Sequence, residues 1–152
     1  MAIAYLGLGT NIGDKRLNLS SAIAIIEKKI GKVLAVSSFY ETKPWGFESE
    51  NMFLNAAIKV YTRLAPEELL VATQDIERSL GRKSKSVDGY EDRIIDIDIL
   101  LYDDLVYETG GLTIPHPLMH ERDFVMKPMA EIAPELKHPT LKENMKTLKE
   151  RL

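Results

Sequence analysis

Apolar positions along the chain change period several times. Residues 3–9 alternate, with Ala4, Leu6 and Leu8 on one face and Tyr5, Gly7 and Gly9 on the other. Asp14 then stands where a helix N-cap belongs, Leu19, Ile23, Ile26 and Ile30 recur at helical spacing, and Gly31 ends the helix. Residues 32–42 alternate through Leu34, Val36, Ser38 and Tyr40 as a second strand. Residues 52–62 form a third, with Leu54, Ala56, Ile58 and Val60 facing one way and Phe53, Asn55, Ala57 and Lys59 the other. Pro66 opens a second helix whose first turn holds Glu67 and Glu68, where acids suit the helix dipole. Its stripe is Leu69, Ala72/Thr73, Ile76 and Leu80. A fourth strand spans 93–102, with Ile95, Ile97, Ile99 and Leu101 on one face and Asp96 and Asp98 on the other. A short strand at 105–107, a helix over 122–130 and an amphipathic tail over 141–152 (Leu141, Met145 and Leu148 inward) complete the chain.

The order β-α-β-β-α-β predicts an α+β ferredoxin-like sandwich: an antiparallel sheet with both helices on one face. The opposite face then carries Gly7, Gly9, Phe53, Asn55, Asp96 and Asp98. A rise of about 3.3 Å per residue sets the two aspartate Cα atoms roughly 6.6 Å apart with both carboxylates on one side. At ~5 Å and an effective dielectric of ~20 the charges repel by about 3 kcal/mol, so a cation belongs between them. Nearby lysines or arginines on a solvated strand would serve, and so would a hard divalent ion such as Mg²⁺, completed by water and phosphate oxygens. A glycine floor, an aromatic ring, an amide and two acids on one face favour a site over a solvated surface.

The polar stretch 82–92, with Arg82, Lys83 and Lys85, precedes the aspartate strand as a loop and places cations near it in sequence, together with Arg93. Residues 43–50 form a second loop, whose Trp45 and Phe47 are hydrophobic plugs or one wall of a binding site. His116, between Pro115 and Pro117 and followed by Arg122, is a structural histidine or a phosphate ligand. Gln74 and Glu77 lie three apart on a helix face that is ordinarily solvated. The run from Gly7 to Lys15 fits neither a P-loop nor a dinucleotide fingerprint, since position 12 is Ile, and reads as a glycine-rich turn.

The chain has 152 residues, which suits one domain over 1–152, with no repeat, low-complexity tract or linker. It has no cysteine, which excludes disulfides and thiolate metal sites and fits a cytoplasmic protein. A net charge of −3 argues against a non-specific nucleic-acid binder, and no apolar run is long enough for a membrane span.

Six segments in order resemble the 6-hydroxymethyl-7,8-dihydropterin pyrophosphokinase family of folate biosynthesis. They are Gly7-Leu8-Gly9-Thr10-Asn11, Tyr40-Glu41-Thr42-Lys43-Pro44, Phe53-Leu54-Asn55-Ala56, Glu77-Arg78-Ser79-Leu80-Gly81-Arg82, Arg93-Ile94-Ile95-Asp96-Ile97-Asp98, and Ile114-Pro115-His116-Pro117 with Arg122-Asp123-Phe124. The resemblance implies transfer of pyrophosphate from ATP, a co-substrate, to the hydroxymethyl oxygen of the pterin, releasing AMP. The route implied is in-line attack on the β-phosphorus without a covalent nucleophile. It implies two Mg²⁺ ions held by Asp96 and Asp98, and phosphate contacts from Arg82, Arg93, His116 and Arg122, with Arg82 and Arg93 acting in catalysis. Gln74 and Glu77 would line the ATP side, Phe53 and Phe124 would stack on the pterin, and Asn55 with Thr42, Pro44 and Trp45 would meet its edge. Residues 82–92 and 43–50 would be the lids. Two departures fall in the first of these: Lys85 stands near a second loop arginine of some relatives, and Tyr90 near a loop tryptophan. The expected partners are ATP and the pterin, with neither nucleic acid nor membrane, and the expected unit is a monomer. The rival reading is a non-enzymatic ferredoxin-like module that binds RNA or a metabolite; against it, Asp96 and Asp98 would repel RNA phosphates unless metal is bound.

Overall fold

The computed structural model describes residues 1–43, 51–81 and 94–152. Strand β1 (Ala2–Thr10) runs through the middle of the sheet and helix α1 (Lys15–Lys29) follows it. Asp14 caps α1 as expected, its Oδ1 accepting from the Leu17 N–H at 3.1 Å. Next come β2 (Gly31–Val36), β3 (Tyr40–Thr42) and β4 (Phe53–Thr62). Helix α2 (Pro66–Ser79) leads into β5 (Asp96–Tyr102). A hairpin of β6 (Tyr107–Thr109) and β7 (Leu112–Ile114) precedes a 3₁₀ turn, α3 (Asp123–Ile132) and α4 (Met145–Glu150).

The main sheet is antiparallel in the order β2-β4-β1-β5, with β3 paired to the end of β4. This is the ferredoxin-like α+β arrangement. Ala4, Leu6 and Leu8 of β1, Leu54, Ala56, Ile58 and Val60 of β4, and Ile95, Ile97 and Ile99 beside and on β5 form the principal core with Leu19, Ala22 and Ile26 of α1 and Leu69 and Ile76 of α2. Fully burying one such aliphatic side chain stabilises the fold by about 1.5–3 kcal/mol. Part of the opposite face is covered as well. Tyr5, Ala57, Leu100 and Leu101 pack there under Met126 and Met129 of α3 and Met145 and Leu148 of α4. The two later helices thus add a layer that shares this face with the glycines and aspartates.

Three expectations change. Residues 32–42 are two strands: β2 stops at Val36, and Ser37 ties the chain to Ala57 by two hydrogen bonds of 2.9 Å. The long apolar residues of β2 are the exposed ones, Leu34 at 45% and Val36 at 43%, while Val33 packs toward the core. Leu101 also leaves the isoleucine face. A bulge between Tyr5 and Leu6 pairs Tyr5 with Leu101 and Leu6 with Ile99, and beyond that extra residue the faces exchange, so Tyr102 packs toward the principal core. The tail helix begins only at Met145, capped by Asn144 (Oδ1 accepting from Thr147 N at 2.9 Å), and Leu141 lies outside it, 41% exposed.

Gly31 is required by close approach, because a Cβ there would collide with the Tyr61 carbonyl oxygen on β4. Before α4 the chain turns around His138, which is buried and accepts at Nδ1 from the Thr140 and Leu141 N–H groups at 3.3 and 3.2 Å. Burial, and then the neighbouring His120, hold the His138 pKa below its ordinary 6.5. The unfolded chain therefore takes up a proton first: the stabilisation is complete above pH 6.5 and is lost as pH falls through the lower folded value. His138→Asn, which keeps a short acceptor but does not titrate, is expected to lower overall stability while flattening its decline between about pH 7 and 5, as read from urea unfolding at several pH values. An unchanged slope would contradict the assignment.

Candidate active site

β1 supplies the floor. Gly9 is paired with Asn55 on one side and Asp96 on the other, and Gly7 with Ala57 and Asp98. Cross-strand partners point to the same face of a sheet, so two rows lie side by side, Asn55–Gly9–Asp96 and Ala57–Gly7–Asp98. A Cβ on Gly9 would sit 3.2 Å from Asn55 Oδ1 and 3.6 Å from the Phe53 ring, and one on Gly7 would meet Leu100 methyls at 3.4 Å. Glycine keeps this floor low. The strand spacing of about 4.8 Å sets Asn55 and Asp96 roughly 10 Å apart across Gly9.

Asp96 and Asp98 are half-buried on this face, while Ile95, Ile97 and Ile99 fill the core behind them. Their oxygens are the hard donors that suit Mg²⁺. Among the described residues no group of three or more acidic or histidine side chains is arranged to hold a metal, so phosphate and water oxygens would have to complete a shell. The residues present fit such an ion bound together with a polyphosphate.

Where β3 meets β4, Asn55 is buried, and its Nδ2 donates to Thr42 Oγ1 at 2.8 Å and to the Tyr40 carbonyl at 3.3 Å. That commits its amide donor to β3 and leaves Oδ1 on the side of Gly9. Phe53 is paired with Thr42 and flanks the same row. The Gly7–Asn11 run is anchored next to them: Asn11 Nδ2 donates to the Asn51 carbonyl at 3.5 Å and Lys15 Nζ to the Met52 carbonyl at 3.1 Å. The turn after β1 thus has an anchoring role that no local sequence signal marks.

Glu77 is not on a solvated helix face. It is 3% exposed, and its Oε2 accepts from the Ile97 N–H at 2.8 Å. The α2 carboxylate therefore holds the β5 backbone between the two aspartates. Gln74, one turn earlier, is half-buried. Beyond β5, the His116 N–H donates to the Leu100 carbonyl at 3.0 Å and its Nδ1 accepts from Leu118 N–H at 3.3 Å, which fixes the ring. Arg122 is buried at the start of α3 with its guanidinium carbon 5.6 Å from the Phe124 ring centroid. Pro44, Trp45, Arg82, Lys85, Tyr90 and Arg93 lie outside the described residues.

Residues 5–134 match the family model of 7,8-dihydro-6-hydroxymethylpterin-pyrophosphokinase (HPPK). The chain is 50% identical over 143 residues to a 2-amino-4-hydroxy-6-hydroxymethyldihydropteridine pyrophosphokinase of Porphyromonas gingivalis, covering 91% of this chain and 95% of that protein. The enzyme of the same name from Aquifex aeolicus is 42% identical over 149 residues, covering 98% and 91%. Among solved structures, a crystal structure of Plasmodium falciparum HPPK-DHPS with pteroate superposes with a TM-score of 0.82 at 19% identity, which speaks to the fold. It covers 99% of this chain, and this chain spans only 44% of that longer one. Relatives named as enzymes give no support to the non-enzymatic module. The chain belongs to the 7,8-dihydro-6-hydroxymethylpterin-pyrophosphokinase family and is an ATP-dependent pyrophosphokinase of folate biosynthesis.

Proposed function

We propose that the face of the sheet between Asn55 and Asp98 is where this enzyme joins the β-phosphorus of ATP to the hydroxymethyl oxygen of 6-hydroxymethyl-7,8-dihydropterin, with AMP leaving. The observation that carries the reading is the row Asn55–Gly9–Asp96, which sets a group able to hold a heterocycle edge opposite an acid, over a floor without side chains. The pterin would lie with its edge on Asn55 and Thr42 and its faces against Phe53 and Phe124. Stacking and edge hydrogen bonds orient its hydroxymethyl arm toward Asp96 and Asp98.

Asp96 and Asp98 would hold two Mg²⁺ ions together with the triphosphate. Mg²⁺ bound to such oxygens neutralises polyphosphate charge and makes an alcohol ligand more acidic. Arg122 would supply further positive charge and His116, whose Nδ1 accepts from the Leu118 N–H, an Nε2–H donor for the phosphates, and the half-buried Gln74 and the buried Glu77 would border the ATP side. Arg82, Lys85, Tyr90 and Arg93, together with Pro44 and Trp45, would complete the set of substrate contacts and exclude water. Positioning and charge neutralisation suffice for phosphoryl transfer, so no covalent nucleophile is invoked. The chain works as a monomer in this reading, every residue in it coming from one copy. Its setting is the cytoplasm; no helix among the described residues is long and apolar enough to cross a membrane.

Asp96→Ala and Asp98→Ala are each expected to reduce AMP release in a coupled assay with the hydroxymethyl pterin by about a hundredfold or more, with the thermal midpoint little changed. Near-normal turnover in both variants at ordinary Mg²⁺ would reject the metal-holding role. Glu77→Ala removes the acceptor of the Ile97 N–H and is expected to cost about 1–3 kcal/mol of stability by urea unfolding, as well as turnover. Glu77→Gln, which retains an acceptor oxygen, is expected to recover most of the stability, and no difference between the two variants would contradict the role given to that bond.

A further inference from the structure

Between β2 and β3 one carboxylate from a distant helix collects three donors. Glu131, on the last turn of α3, accepts from the Ser38 N–H at 2.9 Å (Oε1) and 3.0 Å (Oε2), from the Ser38 hydroxyl at 3.0 Å and from the Tyr40 hydroxyl at 2.6 Å. Just before this segment the chain is fastened to β4 through Ser37 and Ala57, and just after it β3 pairs with β4 for only three residues. A three-residue strand contributes little pairing of its own, so what holds Ser38 and Tyr40 also sets where Thr42 lies. Thr42 Oγ1 and the Tyr40 carbonyl take the amide donor of Asn55 and so determine that Oδ1 is the atom above Gly9.

We propose that Glu131 is a positioning residue for the pterin pocket: by gripping Ser38 and Tyr40 it places β3, and β3 in turn orients Thr42 and the amide of Asn55 toward the heterocycle. The inference rests on the reading of Thr42 and Asn55 as the pterin edge. It adds a use for α3 as a strut. Phe124 on the first turn of that helix and Glu131 on its last are about 10 Å apart along the axis. The helix is anchored between them by buried Val125, Met126 and Met129. One helix thus carries the ring proposed to stack on the pterin and, through Glu131, holds the strand that bears the polar edge. The grip does not switch near neutrality. Burial raises the Glu131 pKa, but the bonds from Tyr40 and Ser38 outweigh it and leave the carboxyl below its usual range. The bond to Glu131, then burial and the adjacent charge, push the Tyr40 phenol up to about 12, so it stays a donor.

The test is steady-state kinetics of the full chain with each substrate varied in turn, for Glu131→Ala, Glu131→Gln, Tyr40→Phe and Asn55→Ala. Glu131→Ala is expected to raise the KM for the pterin about tenfold and to leave the KM for ATP within about twofold, the scale set by losing hydrogen bonds to a charged acceptor. Glu131→Gln and Tyr40→Phe should fall between it and the parent, since each keeps part of the grip. Asn55→Ala should add less in the Glu131→Ala background than alone, because the amide is already displaced. An unchanged pterin KM in Glu131→Ala, equal rises in both KM values, or full additivity with Asn55→Ala would each overturn the proposal. Should Asn55→Ala alone leave the pterin KM unchanged, the pterin-edge reading itself fails, whatever Glu131 does.

Discussion

Two like charges set two residues apart on one strand face are unfavourable unless something positive joins them, and the architecture around β5 is arranged to keep them there. Ile95, Ile97 and Ile99 lock the strand into the principal core, so the aspartates cannot rotate inward without exposing three large side chains. Glu77 fixes the backbone between them at Ile97. Gly7 and Gly9, paired with Asp98 and Asp96, add no side chain of their own beside the acids. Core packing on one face therefore sustains an electrostatic demand on the other, which in the function proposed above a cation with a polyphosphate would meet.

The face is divided in function. Toward one end it is apolar and covered, with Leu100, Leu101, Tyr5 and Ala57 under α3 and α4. Toward the other it carries Phe53, Asn55 and the two acids. The bulge opposite Tyr5 and Leu6 marks the change, since it moves Leu101 to the covered part of the face. Helix α3 serves both parts: its methionines and the partly buried Phe124 pack on the apolar end, and its last turn carries Glu131 to Ser38 and Tyr40.

Much of this was legible from residue order. The alternation of Asp96 and Asp98 with isoleucines, and of Phe53 and Asn55 with Leu54 and Ala56, placed both rows on the correct face, since each strand has one wholly apolar side. Asp14 was readable as a cap because capping depends on neighbours only. Other features depend on partners far along the chain. The division of residues 32–42 into two strands is set by Ala57 and by Glu131, more than ninety positions from Ser38. The burial of Glu77 requires knowing which strand edge α2 lies against, and the change of face at Leu101 requires the register with β1. The demand for a cation beside Asp96 and Asp98 follows from their spacing, whereas the two-ion and ATP-side roles rest on resemblance, and Pro44, Trp45, Arg82, Lys85, Tyr90 and Arg93 fall outside the described residues.

The whole proposed site depends on Asp96 and Asp98 jointly holding the divalent ions that bind ATP. Anomalous diffraction from crystals grown with Mn²⁺, a non-hydrolysable ATP analogue and the pterin shows whether they do. Two peaks are expected within ligand distance of the Asp96 and Asp98 carboxylates and of the analogue's phosphates, with the pterin over Gly9. Phosphates bound elsewhere, or manganese held away from both aspartates, would contradict it.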